Sequence, residues 1–500
     1  MPTRSVLSTT IRTALSRLLL LTLPLAGSAH AQAPDATAAT LQGYFSQCHA
    51  VHVCNGSFLV ARDGKIVYQA AFGQAGAAGE GALTTAHAFD IGSISKQFTA
   101  AAILRLADRG KLRLDDAVAT HLPGFPYPRM TLRQLLTHTS GVPDVMAHYT
   151  QLLRSGKATA PLLGDDAVQV LTASAATPKT APGERFEYSN TGYLLLAQVV
   201  TQVSGTTFAA FLHREFFAPL GMSHTRVRMP DNEAAIAPRA YGFTPTADGQ
   251  RRPQDQLPGF YMQGAGGIYS TTGDLLRWSQ ALRDGTAMSA NGWREATTPT
   301  RLNDGSSVPY GFGLGLRTSP LQQARIAHSG QWRAFKADLS QFPAQDIDIV
   351  LLTNNGEDDS VDAARDAIEA ILAGKPYPAV KEPIDWPLRE HLQRNDADAL
   401  RQWLDAQRSA TPARYDIPED KLNELGYRLL EAKQIDKALV LMRFNQETHP
   451  QSMNALDSLA DAYLEAGERD AAIRQVKRML ELKPESRRAQ DRLKVLLESK

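Results

Sequence analysis

Ser93-Ile94-Ser95-Lys96 introduces the run Gln97–Arg109, in which Phe98, Ala101, Ala102, Leu104 and Leu106 recur at helical spacing and Gly110 supplies a stop. The pattern predicts a helix over about 95–109. At its start, a hydroxyl and an amine stand three residues apart, which sets Ser93 and Lys96 on one face within hydrogen-bond reach. A helix N-terminus adds backbone N–H groups and positive potential, and both favour a developing alkoxide. Serine attacks only if a base takes its proton. Lysine serves as that base only where burial or neighbouring charge lowers its pKa from about 10.4. The plain alternative is an N-capping serine beside a solvated lysine. Among fifteen lysines, only Lys96 has a serine three positions before it.

Outward from this helix the sequence reads as a sheet with helices on either side. Thr37–Gln47 has a helical pattern, and Ser57–Ala61 alternates. Arg62-Asp63-Gly64-Lys65 then turns the chain into Ile66-Val67-Tyr68, a strong hairpin signal. Ala337–Phe342 and Ile347–Thr353 read as paired strands, with a closing helix over Val361–Ala373. The stretch 112–267 is loop-rich, with helices at about 165–176, 190–204 and 207–216. The fold class expected for residues 36–374 is α+β: an antiparallel sheet between helices, with an all-helical insertion.

Lys375–Pro383 contains three prolines in nine residues and marks a linker over 375–384. Beyond Pro387 nothing reads as a strand, and a period of 34 residues appears. Ala438 matches Ala472, Pro450 matches Pro484, and Leu425-Gly426 matches Leu459-Ala460. A helix–turn–helix of that length with those residues resembles the tetratricopeptide repeat. Chance agreement of two amphipathic hairpins is the alternative, and four aligned positions at one offset weigh against it. Two repeats fall short of the usual three, so helices at about 387–408 and 487–498 are expected to complete or cap the stack within 385–500.

Two further motifs bear on chemistry. Tyr188-Ser189-Asn190 is the only Tyr-x-Asn in the chain. A phenol near a lysine can relay a proton, and an amide side chain can orient a substrate amide or ester. A buried tyrosine with a helix-capping asparagine is the structural alternative. His328-Ser329-Gly330 is the only His-x-Gly, ahead of an expected strand edge, where the glycine would let an acyl chain approach the backbone.

In this order and spacing the three motifs resemble the serine β-lactamase and D,D-peptidase superfamily, in its class C-like branch. That branch holds class C β-lactamases, D-aminopeptidases, D,D-carboxypeptidases and esterases. The segments Gln134–Asp144, Leu220-Gly221-Met222 and Gly264–Leu275 look like its framework. The resemblance covers residues 40–373 and implies Ser93 as the acylated nucleophile, Lys96 as its base partner and Tyr188 as a sharer of acid–base work. It implies Asn190 as a ligand of the substrate amide or of Lys96, His328 and Gly330 as substrate-positioning residues, and the backbone N–H groups of Ser93 and Gln331 as the oxyanion hole. Which of Lys96 and Tyr188 is the free base stays open at this level. The departure from the superfamily is His328, which stands where many β-lactamases carry lysine. A histidine is mostly neutral near pH 7 and does not offer a permanent cation to a substrate carboxylate. Esters or D-amino-acid peptides are therefore expected above β-lactams, with no metal or organic cofactor required. His138 and His148 offer a rival triad with Ser140, but Thr137-His138-Thr139-Ser140-Gly141 lacks the Gly-x-Ser-x-Gly elbow. Trp278, Trp332 and Tyr193 read as core or cleft wall, with Trp332 placed to line the acyl site.

Composition bounds the rest. A 500-residue chain exceeds the usual ~150-residue domain about threefold, and 43% hydrophobic with 21% charged residues is ordinary for globular proteins. A formal charge of +1 gives no general affinity for nucleic acid. Arg4, Arg12 and Arg17, the apolar run from Leu18 to Leu25 and Ala29-His30-Ala31 read as a secretory signal over 1–31, which implies a periplasmic or secreted protein without a later membrane span. Cys48 and Cys54 are free to pair in such a compartment or to remain buried thiols. Three functional readings follow. The first is an acyl-enzyme hydrolase of small-molecule or peptide substrates. The second is a catalytically idle binding module whose repeats, 418–500, hold a protein partner. The third, compatible with the first, has the repeats shaping the cleft.

Overall fold

The computed structural model describes residues 36–498 apart from 159, 246–249, 262, 357–359 and 411–412. The proposed signal segment, 1–31, lies outside the described residues. The helices that matter below are α1 (Ala36–Ala50), α2 (Ser95–Asp108), α3 (Asn190–Ser204), α4 (Thr272–Arg283) and α5 (Ser360–Leu372). The main sheet has six strands: β1 (Gly56–Arg62), β2 (Lys65–Phe72), β3 (Gly315–Thr318), β4 (Ala324–Trp332), β5 (Phe335–Phe342) and β6 (Ile347–Thr353). Their order is β3-β4-β5-β6-β1-β2, with every neighbouring pair antiparallel. Asp63 and Gly64 make the β1–β2 turn with φ of 51° and 70°, the two positive values a type I′ hairpin demands.

Strand alternation divides the core into two layers. Phe58, Val60, Ile349 and Leu351 face α1 and α5, meeting Leu41, Phe45, Ala364 and Ile368. Leu59, Ala61, Val350 and Leu352 face the other way, into the larger cluster that holds Phe98 of α2, Leu195 of α3 and Trp278 of α4. Trp278 is core: its ring stacks on Phe98 at 4.0 Å, and its Nε1–H donates to Gln97. A disulfide joins Cys48 to Cys54 across the turn between α1 and β1.

The loop-rich middle contains more structure than its sequence suggests, including short helices at Leu132–Leu136 and Met146–Arg154 and a strand at Phe243–Pro245. His328–Gly330 lie inside β4 rather than ahead of a strand. They pair with β5, whereas β3 ends opposite Ala327. Residues 328–332 therefore form an edge of the sheet, and that edge meets the turn before α2.

The C-terminal part is helical: α6 (Asp385–Arg394), α7 (Ala397–Ser409), α8 (Glu419–Glu431), α9 (Ile435–Thr448), α10 (Met453–Glu465), α11 (Arg469–Leu482) and α12 (Arg487–Glu498). The pair α10–α11 repeats α8–α9 at an offset of 34 residues at every boundary. These helices share a core of their own, with Leu388, Leu400, Leu422, Leu441, Leu456 and Ala472 buried. Two expectations are corrected here. The helix read over 387–408 is broken, because Asn395 turns extended (ψ 155°) and Asp396 caps α7 through the Ala399 N–H. One strand pairing also exists beyond Pro387: Tyr415–Asp416 lies parallel to Glu382–Pro383, too short to leave an alternating signal. Among the described residues no single helix is long and apolar enough to cross a membrane.

Candidate active site

Ser93 sits in a 3-10 turn, Gly92–Ile94, that runs directly into α2. Asp90 builds this turn by accepting the Gly92 N–H at 2.8 Å. The turn then crosses the free edge of β4 backbone to backbone. A β-carbon on Gly330 would lie 2.0 Å from the Ile91 carbonyl oxygen and 3.2 Å from the Ser93 nitrogen. A β-carbon on Gly92, where φ is 51°, would lie 2.7 Å from the Gln331 nitrogen. The missing side chain of Gly330 therefore makes room for the Ile91–Ser93 backbone. The same close approach brings the Ser93 and Gln331 amides together at the cleft.

Lys96 lies one helical turn on, with none of its surface exposed. Its Nζ meets Ser93 Oγ at 3.0 Å, Asn190 Oδ1 at 2.8 Å and the Ala265 carbonyl at 2.8 Å. Burial drives its pKa well below the usual lysine range, and no carboxylate opposes that shift. Asn190 is the first residue of α3, and Ser189 rather than Asn190 is the cap, accepting the Gly192 N–H. This start of α3 swings Tyr188 over the site, with Lys96 Nζ 4.8 Å from its ring centre. Burial pushes the pKa of the Tyr188 hydroxyl up to about 12, with the neighbouring Ser93 opposing that shift. The residue as a whole is 43% exposed, although its hydroxyl end is buried.

His328 is 8% exposed, and its pKa falls to about 4 through burial and the neighbouring Lys96. Its Nε2 meets the Tyr310 hydroxyl at 2.9 Å and its Nδ1 the Ser329 carbonyl at 2.6 Å. Both ring nitrogens are thus engaged within the protein. The rival triad does not assemble: Ser140 Oγ accepts the Val142 N–H, His148 is exposed, and His138 points to Tyr310 and Ser189.

A cleft of about 270 Å³ opens from Ser93 and is lined also by Asn190, Met146, Phe260, Gln331 and Trp332. A cavity of about 410 Å³ near Phe342 and Leu372 is larger but holds none of these reactive groups. Trp332 is cleft wall, stacked on Phe260 and donating to Gln256. Arg228 and Asp90 also line the cleft, and sequence reading missed both. Arg228 is ion-paired with Glu233 at 3.1 Å, and burial raises the Asp90 pKa to about 6. The position of Asp90 three residues before Ser93 is the one local signal that could have drawn notice. Among the described residues no group of His, Cys, Asp and Glu has the arrangement to hold a metal ion.

The beta-lactamase family profile matches residues 41–373. A penicillin-binding protein of Bacillus subtilis (strain 168) is 34% identical over 355 residues, covering 69% of this chain and 78% of that protein. A D-aminopeptidase of Brucella canis is 29% identical over 327 residues, 65% of this chain, and the chain spans only 61% of that relative's length. The crystal structure of a penicillin-binding protein from Bacillus halodurans aligns with a TM-score of 0.56 at 26% identity, over 66% of this chain and 98% of that one. With two thirds of its length matched to that profile, the chain belongs to the beta-lactamase family.

Proposed function

We propose that the chain is a serine hydrolase that forms an acyl-enzyme on Ser93 and acts on esters and on D-amino-acid peptides or amides in preference to β-lactams. The observation that carries this reading is the set of contacts at Lys96. Asn190 Oδ1 and the Ala265 carbonyl only accept, so a neutral amine gives them its two protons and turns its lone pair to Ser93 Oγ. Lys96 is then the base: it takes the Ser93 proton as Oγ attacks the substrate carbonyl. The oxyanion forms beside the Ser93 and Gln331 amides. Tyr188, kept protonated, gives its proton to the leaving group and recovers one from Lys96, and water then hydrolyses the ester. Environments that lower a lysine and raise a phenol separate the acid from the base.

Substrate preference follows from His328. A neutral ring with both nitrogens engaged presents no cation to a carboxylate, which disfavours penicillins. The names of the relatives, a D-aminopeptidase among them, agree with peptide or amide substrates. Residues 36–374 form the hydrolase domain, 375–384 the linker, and 385–500 a tetratricopeptide-like stack whose repeats, 418–500, hold a protein partner. Export to the periplasm or medium is supported by the arginine-led apolar run before Ala31 and by the disulfide, which suits an oxidising compartment.

Intact-protein mass spectrometry after incubation with a p-nitrophenyl ester, a fluorophosphonate and a penicillin tests the proposal. An adduct in the wild type that is absent in Ser93→Ala supports it. Folded wild type that forms no adduct with any of the three would return the domain to a binding role.

A further inference from the structure

Behind Tyr188 stand three side chains that the reaction above leaves unused. His138 is buried with φ at 58°, and its ring lies against Tyr188 with centroids 4.3 Å apart. The Ser189 N–H donates to His138 Nδ1 at 3.0 Å. That nitrogen therefore carries no proton, and the neutral ring is protonated on Nε2, which faces the Tyr310 hydroxyl at 3.2 Å. At the far end, His328 Nδ1 lies 2.6 Å from the Ser329 carbonyl, which can only accept. So Nδ1 bears the proton of that ring, and Nε2 must accept. Its partner at 2.9 Å is again the Tyr310 hydroxyl. Tyr310 accordingly accepts from His138 and donates to His328. Tyr193 packs beside this chain but gives its own proton to the Leu136 carbonyl at 2.8 Å. If Tyr310 donated to Tyr193 instead, the buried lone pair of His328 would lose its donor. Burial keeps both rings neutral.

We propose that His138, Tyr310 and His328 form a single directed hydrogen-bond brace that positions Tyr188 against Ser93 and fixes His328 as the Nδ1–H tautomer. His138 acts on Tyr188 twice, by packing against its ring and by holding the amide of the next residue. With Nε2 of His328 occupied, recognition along β4 falls to backbone groups such as the Gln331 N–H. These are positioning residues, and their kinetic effect rests on the acyl-enzyme reading, whereas the tautomers do not.

The test uses full-length protein labelled with ¹⁵N-histidine and long-range ¹H–¹⁵N correlation at pH 7, with His138→Asn and His328→Asn for assignment. Expected are a neutral Nε2–H ring for His138, a neutral Nδ1–H ring for His328, and loss of that single form in Tyr310→Phe. With a p-nitrophenyl ester, Tyr310→Phe should lower kcat about ten- to a hundredfold and leave KM within about twofold. His138→Asn retains an acceptor for the Ser189 N–H and tolerates the left-handed backbone, so it should keep more of the rate than His138→Leu. Either ring found cationic or in the opposite tautomer, or Tyr310→Phe with wild-type kcat and folding, overturns the brace. Wild type inert to every ester would count against the hydrolase reading alone, since the spectrum still decides the brace.

Discussion

The two halves of this molecule bury charge in opposite ways. In the helical C-terminal part, Asp457 of α10 is 4% exposed and clamped by Arg488 and Arg492 of α12, with Arg492 reaching Asp461 as well. In the sheet-based part, Lys96 is fully buried and meets only a hydroxyl, an amide oxygen and a carbonyl. A buried acid clasped by two guanidiniums docks one helix on another. A buried amine without a counter-ion gives up its proton, which is useful only to chemistry. The presence or absence of an opposite charge thus separates packing from reactivity.

Substitution can break that contrast from either side. The largest effect is expected for Lys96→Met, which should lower kcat/KM for an ester at least about 10³-fold while thermal unfolding shows stability held or raised, because a desolvated amine is replaced by a side chain that suits burial. A clear fall in stability would mean that the lysine is structural. The pH profile sharpens the same point. Since Lys96 must be neutral to act and its pKa lies well below the usual lysine range, kcat/KM should fall about tenfold per pH unit below that depressed pKa. The alkaline limb set by Tyr188, near 12, lies beyond the range in which most proteins stay folded. Smallest is Arg492→Ala, which should destabilise the full chain to denaturant by about 2 kcal/mol, since Asp457 keeps Arg488, and leave ester turnover unchanged.

Much of the site was legible because its reactive groups occur in short motifs. Ser93 and Lys96 are three residues apart, and Tyr188 and Asn190 are two apart. Helix starts and hairpin turns likewise have local signatures, so α2, α3 and the β1–β2 hairpin were read within a few residues. The Ala265 carbonyl, Tyr310 and the true role of His138 were not legible. Each reaches the site across more than a hundred residues of chain or through a loop without periodicity, and a backbone acceptor has no residue type to announce it. Strand β4, Ala324–Trp332, escaped for a related reason: Arg325, His328, Ser329 and Gln331 interrupt its apolar residues. A strand that carries chemistry on its edge loses the alternation by which strands are recognised.

The crossing of Gly92 over Gly330 also says how this chain responds to mutation. Neither residue has a side chain, yet an added methyl at either meets backbone rather than a movable group. Variation at these two positions would therefore be read by the reaction before it is read by any side-chain contact. In a mutational library, substitutions there should cluster with losses of Ser93, although no reactive atom has been removed. The approach of the Ser93 and Gln331 amides, the proposed anion-stabilising pair, is inherited as a pair of absences.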